Sequence, residues 1–444
     1  MPVSPARAAA FDILLRVEQQ DAYASELLHS ERLDTLSLAD RGLTTEIVMG
    51  VLRWRSRLDD AIAAQSSRPL GKLDPQVLTA LRIAAYQLLY LSRVPARAAI
   101  NESVDLVKRA HKVSAAPFAN AVLRKLANTK PKTVAANTSA TTAALLAHEF
   151  AHPEWLVERW VDHLGIDNVE GVCRHDQRIP TTSIRLDGAA VEGELKNEGI
   201  ELAPGTLLTA ARIVTSGDVT QTRAYREGRV FIQDEASQLV AALVGTGSRL
   251  LDCCAAPGSK TAAIASRNPA AEIVAVELHP HRAELLRRRV RATNVQVITA
   301  DTLHIPLKGG FDGVLADVPC SGTGTLARNP EIKWRLKPAD LGELHSKQVA
   351  ILRAALQQLT PGGRAVYSTC SLESEENQAV VEEVLQGDSK FTLLNCRTEL
   401  ERLRAEGELA ISDLDSLLEG KYLRTLPGVH PCDGFFAAII QRLN

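Results

Sequence analysis

Between residues 6 and 127 apolar side chains recur every three or four positions, as in Phe11, Leu14 and Leu15, then Leu43, Ile47, Val51 and Leu52, then Val77, Leu78, Leu81, Ala85, Leu88 and Leu89. That period lays a stripe along one side of an α-helix, so the stretch predicts an all-α domain. Asp74-Pro75 sets a capping side chain before a proline at the first helical position, and Pro117 opens a last helix through Asn120, Leu123 and Leu126. From residue 129 to 142 the period vanishes and the residues turn small and polar, as in a linker. Pro153 then starts a helix carrying Trp155, Leu156, Trp160 and Leu164, followed by mixed short elements to about residue 228.

The second half alternates short apolar runs at 250–254, 273–277, 295–299, 313–317 and 365–369 with helical patterns near 260–266, 280–293, 340–359 and 374–386. Such alternation predicts a mostly parallel, Rossmann-like sheet with helices on both faces, whose ligands bind beyond the carboxyl ends of the strands. The expected division is therefore an all-α domain at 1–128, a linker at 129–147, a small α+β subdomain at 148–228 and an α/β domain at 229–444.

Size agrees: 444 residues, 45% of them apolar, exceed what one core normally organises. The formal charge of −2 conceals an asymmetry, because residues 1–130 carry 18 Lys and Arg against 13 Asp and Glu. A basic front end is compatible with RNA binding, although most such residues simply face solvent. The seven cysteines include no CxxC pair and no histidines at zinc-ligand spacing, so neither a metal site nor a disulfide framework is expected. With no apolar run long enough to cross a bilayer and no leader pattern, a reduced, cytoplasmic setting away from membranes fits best.

Chemistry enters at the strand ends. The first strand runs into Asp252-Cys253-Cys254-Ala255-Ala256-Pro257-Gly258-Ser259-Lys260, a turn whose small side chains allow close approach of a ligand to the backbone. Glu277 ends the second strand, where a carboxylate can accept from both hydroxyls of a ribose, and Asp301 follows the third, within reach of an adenine amine. Acidic residues at such positions also cap the following helix. The turn is neither GxGxxG nor a full P-loop, which disfavours redox dinucleotides and nucleotide hydrolysis.

The fourth strand delivers Asp317-Val318-Pro319-Cys320-Ser321-Gly322 and the fifth Ser368-Thr369-Cys370-Ser371. A lone cysteine at a strand end is usually a small buried hydrophobe; two of them beside a carboxylate suit methylation of a pyrimidine. Cytosine C5 is a poor nucleophile until a thiolate adds at C6, and a group bonded to N3 and N4 steadies the charge that results.

Taken together, Cys-Ala-Ala-Pro-Gly-Ser-Lys at 254–260, Asp-Val-Pro-Cys-Ser-Gly at 317–322 and Thr-Cys-Ser at 369–371 resemble the RNA cytosine-5 methyltransferases of the Fmu/Sun group. Phe-Ile-Gln-Asp-Glu-Ala-Ser at 231–237 and Asn-Pro-Glu-Ile-Lys-Trp at 329–334 extend the likeness. The resemblance implies a class I S-adenosylmethionine-dependent fold, Cys370 as nucleophile and Cys320 as the residue assisting product release. It also implies cofactor contacts from Cys254, Ala255, Ala256, Pro257, Gly258, Ser259, Lys260, Glu277, Arg282, Asp301 and Asp317. Ser259 departs from the glycine and Glu277 from the aspartate usual in that group. Arg328, Lys333 and Trp334, on what should be a mobile loop, are the candidate RNA contacts; for Trp334, packing against the next helix is an equal expectation.

The helices of residues 6–127, with Asn-Glu-Ser-Val at 101–104 and Phe-Ala-Asn-Ala-Val-Leu-Arg at 118–124, resemble the NusB-like domain preceding this core in bacterial 16S rRNA enzymes of the RsmB/Fmu/Sun type. That implies 16S rRNA, free or in an assembling small subunit, as partner; a monomer is the expected working form. Arg53, Arg55, Arg57, Lys108, Arg109, Lys112 and Arg124 are candidate phosphate contacts. Three readings remain beside this one: a DNA-type enzyme with Cys320 attacking, an RNA-binding module with a degenerate catalytic domain, and an oxidoreductase on a nucleotide-binding sheet.

Overall fold

The helical period of the N-terminal stretch is realised as helices Pro5–Gln19, Leu38–Arg53, Arg55–Ala63, Pro75–Tyr90, Ala96–Arg109 and Ala116–Asn128. The computed structural model describes residues 3–30, 33, 35–129, 141–307 and 309–444. It divides into one unit of Met1–Ile179 with Leu326–Arg335 and a second of Pro180–Thr325 with Leu336–Asn444. In the first, Phe11, Leu14, Ile47, Val51, Leu81, Leu106 and Leu123 close one core around Pro75–Tyr90. Gly50 is required there, since a Cβ would lie 1.9 Å from Tyr86 Cζ. Asp74 stands before Pro75 but makes no capping bond; its carboxylate pairs with Lys112 at 3.0 Å instead.

The expected boundary moves. Residues 130–140 of the anticipated linker lie outside the described residues, but Thr142–Glu149 is helical, capped by Thr141 Oγ1 accepting from Ala144 N at 3.1 Å. The helices Glu154–Leu164 and Ile166–Asp176, placed by the sequence in the α+β piece, also group with the N-terminal unit. Polar contacts hold them there: His152 Nε2 lies 3.1 Å from Asp176 Oδ2 with both side chains buried, and Gln177 Nε2 donates to Arg53 O at 3.2 Å.

Leu326–Arg335 completes this unit by satisfying a helix end. The last carbonyls of Leu38–Arg53 have no partner within their own helix; Trp334 Nε1 donates to Leu52 O at 2.6 Å and Lys333 Nζ to Arg53 O at 3.1 Å. Glu331 accepts from Ala24 N at 2.8 Å, and Arg335 Nη2 donates to Val17 O at 2.7 Å. Lys333 is consequently 1% exposed, and burial, only partly offset by Asp176 and Cys173 and reinforced by Arg53, brings its amine down to about 7. His152, buried beside it, is also held well below its ordinary range.

A lysine lowered in the folded state is protonated only after unfolding between about pH 7 and its free pKa near ~10.4, so its contribution to stability rises with pH across that window. Wild-type protein should gain stability relative to Lys333→Met between pH 7 and 9, at up to about 1.4 kcal/mol per pH unit. Parallel melting-temperature profiles of the two proteins would contradict the assignment.

The second unit begins with an antiparallel sheet of β1 (Thr182–Leu186), β2 (Glu201–Pro204), β3 (Ala211–Ser216) and β4 (Val230–Ile232) in the order β2-β3-β1-β4. Its larger sheet contains β5 (Arg249–Asp252), β6 (Glu272–Glu277), β7 (Val295–Thr299), β8 (Phe311–Asp317), β9 (Leu359–Thr369), β10 (Phe391–Leu394), β11 (Leu418–Glu419), β12 (Tyr422–Thr425) and β13 (Phe435–Arg442). The order is β11-β12-β13-β9-β8-β5-β6-β7, with β10 paired to β13. Strands β5 to β9 are mutually parallel, as the sequence predicts, while β10 to β13 join antiparallel, which it did not.

Alternate residues of each strand feed opposite cores. Leu250, Ile273, Leu315 and Val366 pack with Leu239, Val240 and Ile264 on one face; Leu251, Val274, Val314 and Tyr367 pack with Val349, Leu352 and Val380 on the other. Burial on both sides explains why these strands read as unbroken apolar runs. The chain moves outward from β5 through β6 and β7, then returns to β8 on the other side, so a crevice opens between the carboxyl ends of β5 and β8. No helix among the described residues is long and apolar enough to cross a membrane.

Candidate active site

The turn after β5 is shaped by close packing. Gly258 adopts φ +108°, and a Cβ there would lie 2.6 Å from Leu286 Cδ1 and 2.7 Å from Val290 Cγ2. A larger residue would displace the turn from the following helix Pro280–Arg289. Ser259, the family departure, opens helix Ser259–Arg267, whose first amides have no partner within the helix. Asp252 behind the turn accepts from Thr261 Oγ1 at 2.7 Å, while its buried Oδ1 has no partner. Burial outweighs Thr261 and, with nearby Asp317, raises this carboxyl to about 7.

Glu277 ends β6 with its carboxylate 5% exposed; Oε1 accepts from His279 N at 2.9 Å and Oε2 lies 3.9 Å from Arg282 Nη1. Asp301 is exposed and caps the next turn by accepting from Leu303 N at 2.9 Å. Both acids therefore carry some of the local capping role that acidic strand ends commonly have. Cys254 is half-buried, and burial pushes its thiol well up, so it lines the crevice as a neutral group.

Across the crevice, β8 and β9 pair Asp317 with Ser368. Ser368 Oγ donates to Asp317 Oδ1 at 2.7 Å, and Lys260 Nζ lies 2.8 Å from Asp317 Oδ2 and 5.0 Å from the centre of the Phe435 ring. Burial alone would lower Lys260; Asp317, helped by Cys370, more than reverses this and keeps the ammonium charged. The sulfurs of Cys320 and Cys370 are 3.3 Å apart. The hydrogen bond to Cys370, with burial, pushes the Cys320 thiol well above its ordinary range.

Behind the sulfurs lies a buried network that sequence reasoning missed. Glu376, 0% exposed, accepts from Ser321 N at 2.8 Å, from the hydroxyls of Ser321 and Ser371, and from Gln348 Nε2 at 2.8 Å. One carboxylate thus joins the loop bearing Cys320 to the loop bearing Cys370. Glu376→Ala strands several buried donors at about 1–3 kcal/mol each, and should lower the melting temperature and slow turnover together. A variant melting like wild type would remove this role. The signal in the sequence was an acid five residues beyond Ser371, inside a segment read only as a helix start.

Residues 243–441 match the family model described as 16S rRNA methyltransferase RsmB/F, and residues 4–128 match that of the NusB family. The probable ribosomal RNA small subunit methyltransferase B of Bacillus subtilis is 33% identical over 458 residues, covering 100% of both chains. The chain belongs to the RsmB/F family of 16S rRNA methyltransferases. The ribosomal RNA small subunit methyltransferase B of Vibrio cholerae is 30% identical, covering 98% of this chain and 97% of its own. The crystal structure of PH0851 shares the fold with a TM-score of 0.81 at 24% identity, over 100% of this chain and 99% of that one.

Family membership carries rRNA methylation from S-adenosylmethionine as the activity class. The expected RNA contacts require correction. Lys333 is not a surface cation on a mobile loop, and Trp334 is half-buried; both terminate the helix Leu38–Arg53, so neither presents a phosphate-binding group in this structure. Arg328 is half-buried in the same segment. Of the N-terminal candidates, Arg53 is buried and donates to Ala327 O at 3.0 Å, Arg55 pairs with Glu18, Lys108 with Asp105, Arg109 with Asp12 and Lys112 with Asp74. Arg57 lies 3.5 Å from His148 O, while Arg124 is exposed and unpaired among the described residues.

Proposed function

We propose that the chain methylates C5 of a cytosine in 16S rRNA through a transient bond between Cys370 and C6. The observation carrying this reading is the pair of sulfurs 3.3 Å apart at the rim that also holds the Lys260–Asp317 ion pair. The crevice suits S-adenosylmethionine: a turn at Gly258 with no room for a Cβ leads into helix amides that have no intrahelical partner, and the buried Glu277 carboxylate at the end of the adjacent strand could accept from ribose hydroxyls. Cys254 to Lys260, Glu277, Arg282, Asp301 and Asp317 would hold it. When bound, it supplies an electrophilic methyl group.

The chain's own residues do the rest. Cys370 attacks C6 as a thiolate, which makes C5 a nucleophilic enamine carbon. Asp317 accepts from the cytosine amine, and the Lys260 ammonium offsets the charge growing toward N3 and O2. After C5 is alkylated, its proton leaves to a base at the rim, the role proposed for Cys320 or solvent beside it. The C6–S bond then breaks, and the departing Cys370 sulfur takes up again the hydrogen bond of the Cys320 thiol, restoring the resting pair. Thr369-Cys370-Ser371, for which the DNA-enzyme arrangement has no role, argues against Cys320 as the attacking residue.

The working form is a cytoplasmic monomer acting on free 16S rRNA or an assembling small subunit, with the NusB-like helices supplying RNA-binding surface. Labelled methyl transfer to unmodified 16S rRNA, 23S rRNA and bulk tRNA, followed by nucleoside analysis, tests the reading. Label as 5-methylcytidine in 16S rRNA alone is the expected result; label elsewhere would keep the chemistry and remove the substrate, and label on another atom would remove the chemistry.

A further inference from the structure

A cavity of about 290 Å³ lies within the second unit beside the cofactor turn, against Pro257 and Ser259. Its remaining lining comes from the segment around β4 and the end of helix Pro280–Arg289, and includes Arg226, Arg288 and Arg289 but no carboxylate. Neighbouring arginines are neutralised: Arg223 pairs with Glu227, Arg229 with Glu194 and Glu227, and Arg288 with Glu284. The guanidinium groups of Arg226 and Arg289 are unpaired among the described residues. Tyr225 and Phe231 add aromatic surface. A further cation lies behind the ring: Arg185, opposite Phe231 in the β1–β4 register, sits over it at 4.6 Å, with Nε and Nη2 buried and without partners.

Uncompensated cations next to aromatic faces, in a space on the scale of one nucleotide, match the chemistry of an RNA strand: phosphates for the guanidinium groups, a ribose or base for the rings. We propose that this cavity is a backbone subsite for substrate RNA flanking the reaction crevice, with Arg226 and Arg289 as its phosphate ligands. The inference rests on RNA being the substrate and adds the surface that holds it.

The test is the double variant Arg226→Gln/Arg289→Gln, with RNA affinity measured by direct binding over a range of salt, alongside kcat, KM and cofactor affinity. Loss of two phosphate contacts should weaken RNA binding roughly tenfold at moderate salt and reduce the slope of log affinity against log salt by about 1.4. The turnover number at saturating RNA and the cofactor affinity should stay within about twofold of wild type. Unchanged RNA affinity and salt slope would overturn the proposal, as would a selective loss of cofactor affinity, which would assign the cavity to the cofactor. Methyl transfer by the parent chain reports separately on the functional reading, so the two failures are distinguishable.

Discussion

Cys370→Ala is expected to abolish methyl transfer, by about 10⁴-fold or more, while leaving cofactor affinity within about twofold. The asymmetry follows from position. Cys370 directly follows β9, with its sulfur against Cys320, whereas the turn and carboxylate suited to the cofactor belong to β5 and β6. Without the sulfur there is no adduct at C6, and C5 stays too electron-poor to react. Single-turnover transfer of labelled methyl to 16S rRNA, with calorimetric titration of the cofactor, measures both sides. Activity within tenfold of wild type would eliminate Cys370 as nucleophile.

Cys320→Ala should act on the opposite end of the cycle. The thiol that contacts the Cys370 sulfur is gone, so the adduct still forms but its sulfur departs without that hydrogen bond. Steady-state turnover should fall by about 10²–10⁴-fold, the usual range for a lost proton-transfer group. Protein and RNA should then migrate together on a denaturing gel after incubation with S-adenosylmethionine. Adduct accumulating in the Cys370 variant instead would exchange the two roles. The Cys320→Ala/Cys370→Ala double variant should show no adduct, because trapping requires the nucleophile.

The corrections have a common cause. Asn-Pro-Glu-Ile-Lys-Trp at 329–334 reads as a basic, aromatic loop following a catalytic motif, which is how an RNA contact looks in one dimension. Lys333 and Trp334 instead meet carbonyls of Leu52 and Arg53, about 280 residues earlier in the chain. No local pattern reports such a pairing. The same holds for Glu376, whose partners Ser321 and Gln348 come from separate segments, and for β13, whose place beside β9 depends on register across some 70 residues.

By itself the sequence determined the helices of residues 6–127, the parallel strands β5 to β9, the glycine turn and the two cysteines at neighbouring strand ends. Each of these is written in a local signal: a period of 3.6, a run buried on both faces, a small-residue turn, or a reactive side chain just past a strand. Tertiary structure decided where the first unit ends, which cations remain free, that Lys260 rather than solvent faces Asp317, and that the two sulfurs touch. Those outcomes depend on burial and on partners distant in sequence, and desolvation acts on a side chain only after the fold has enclosed it.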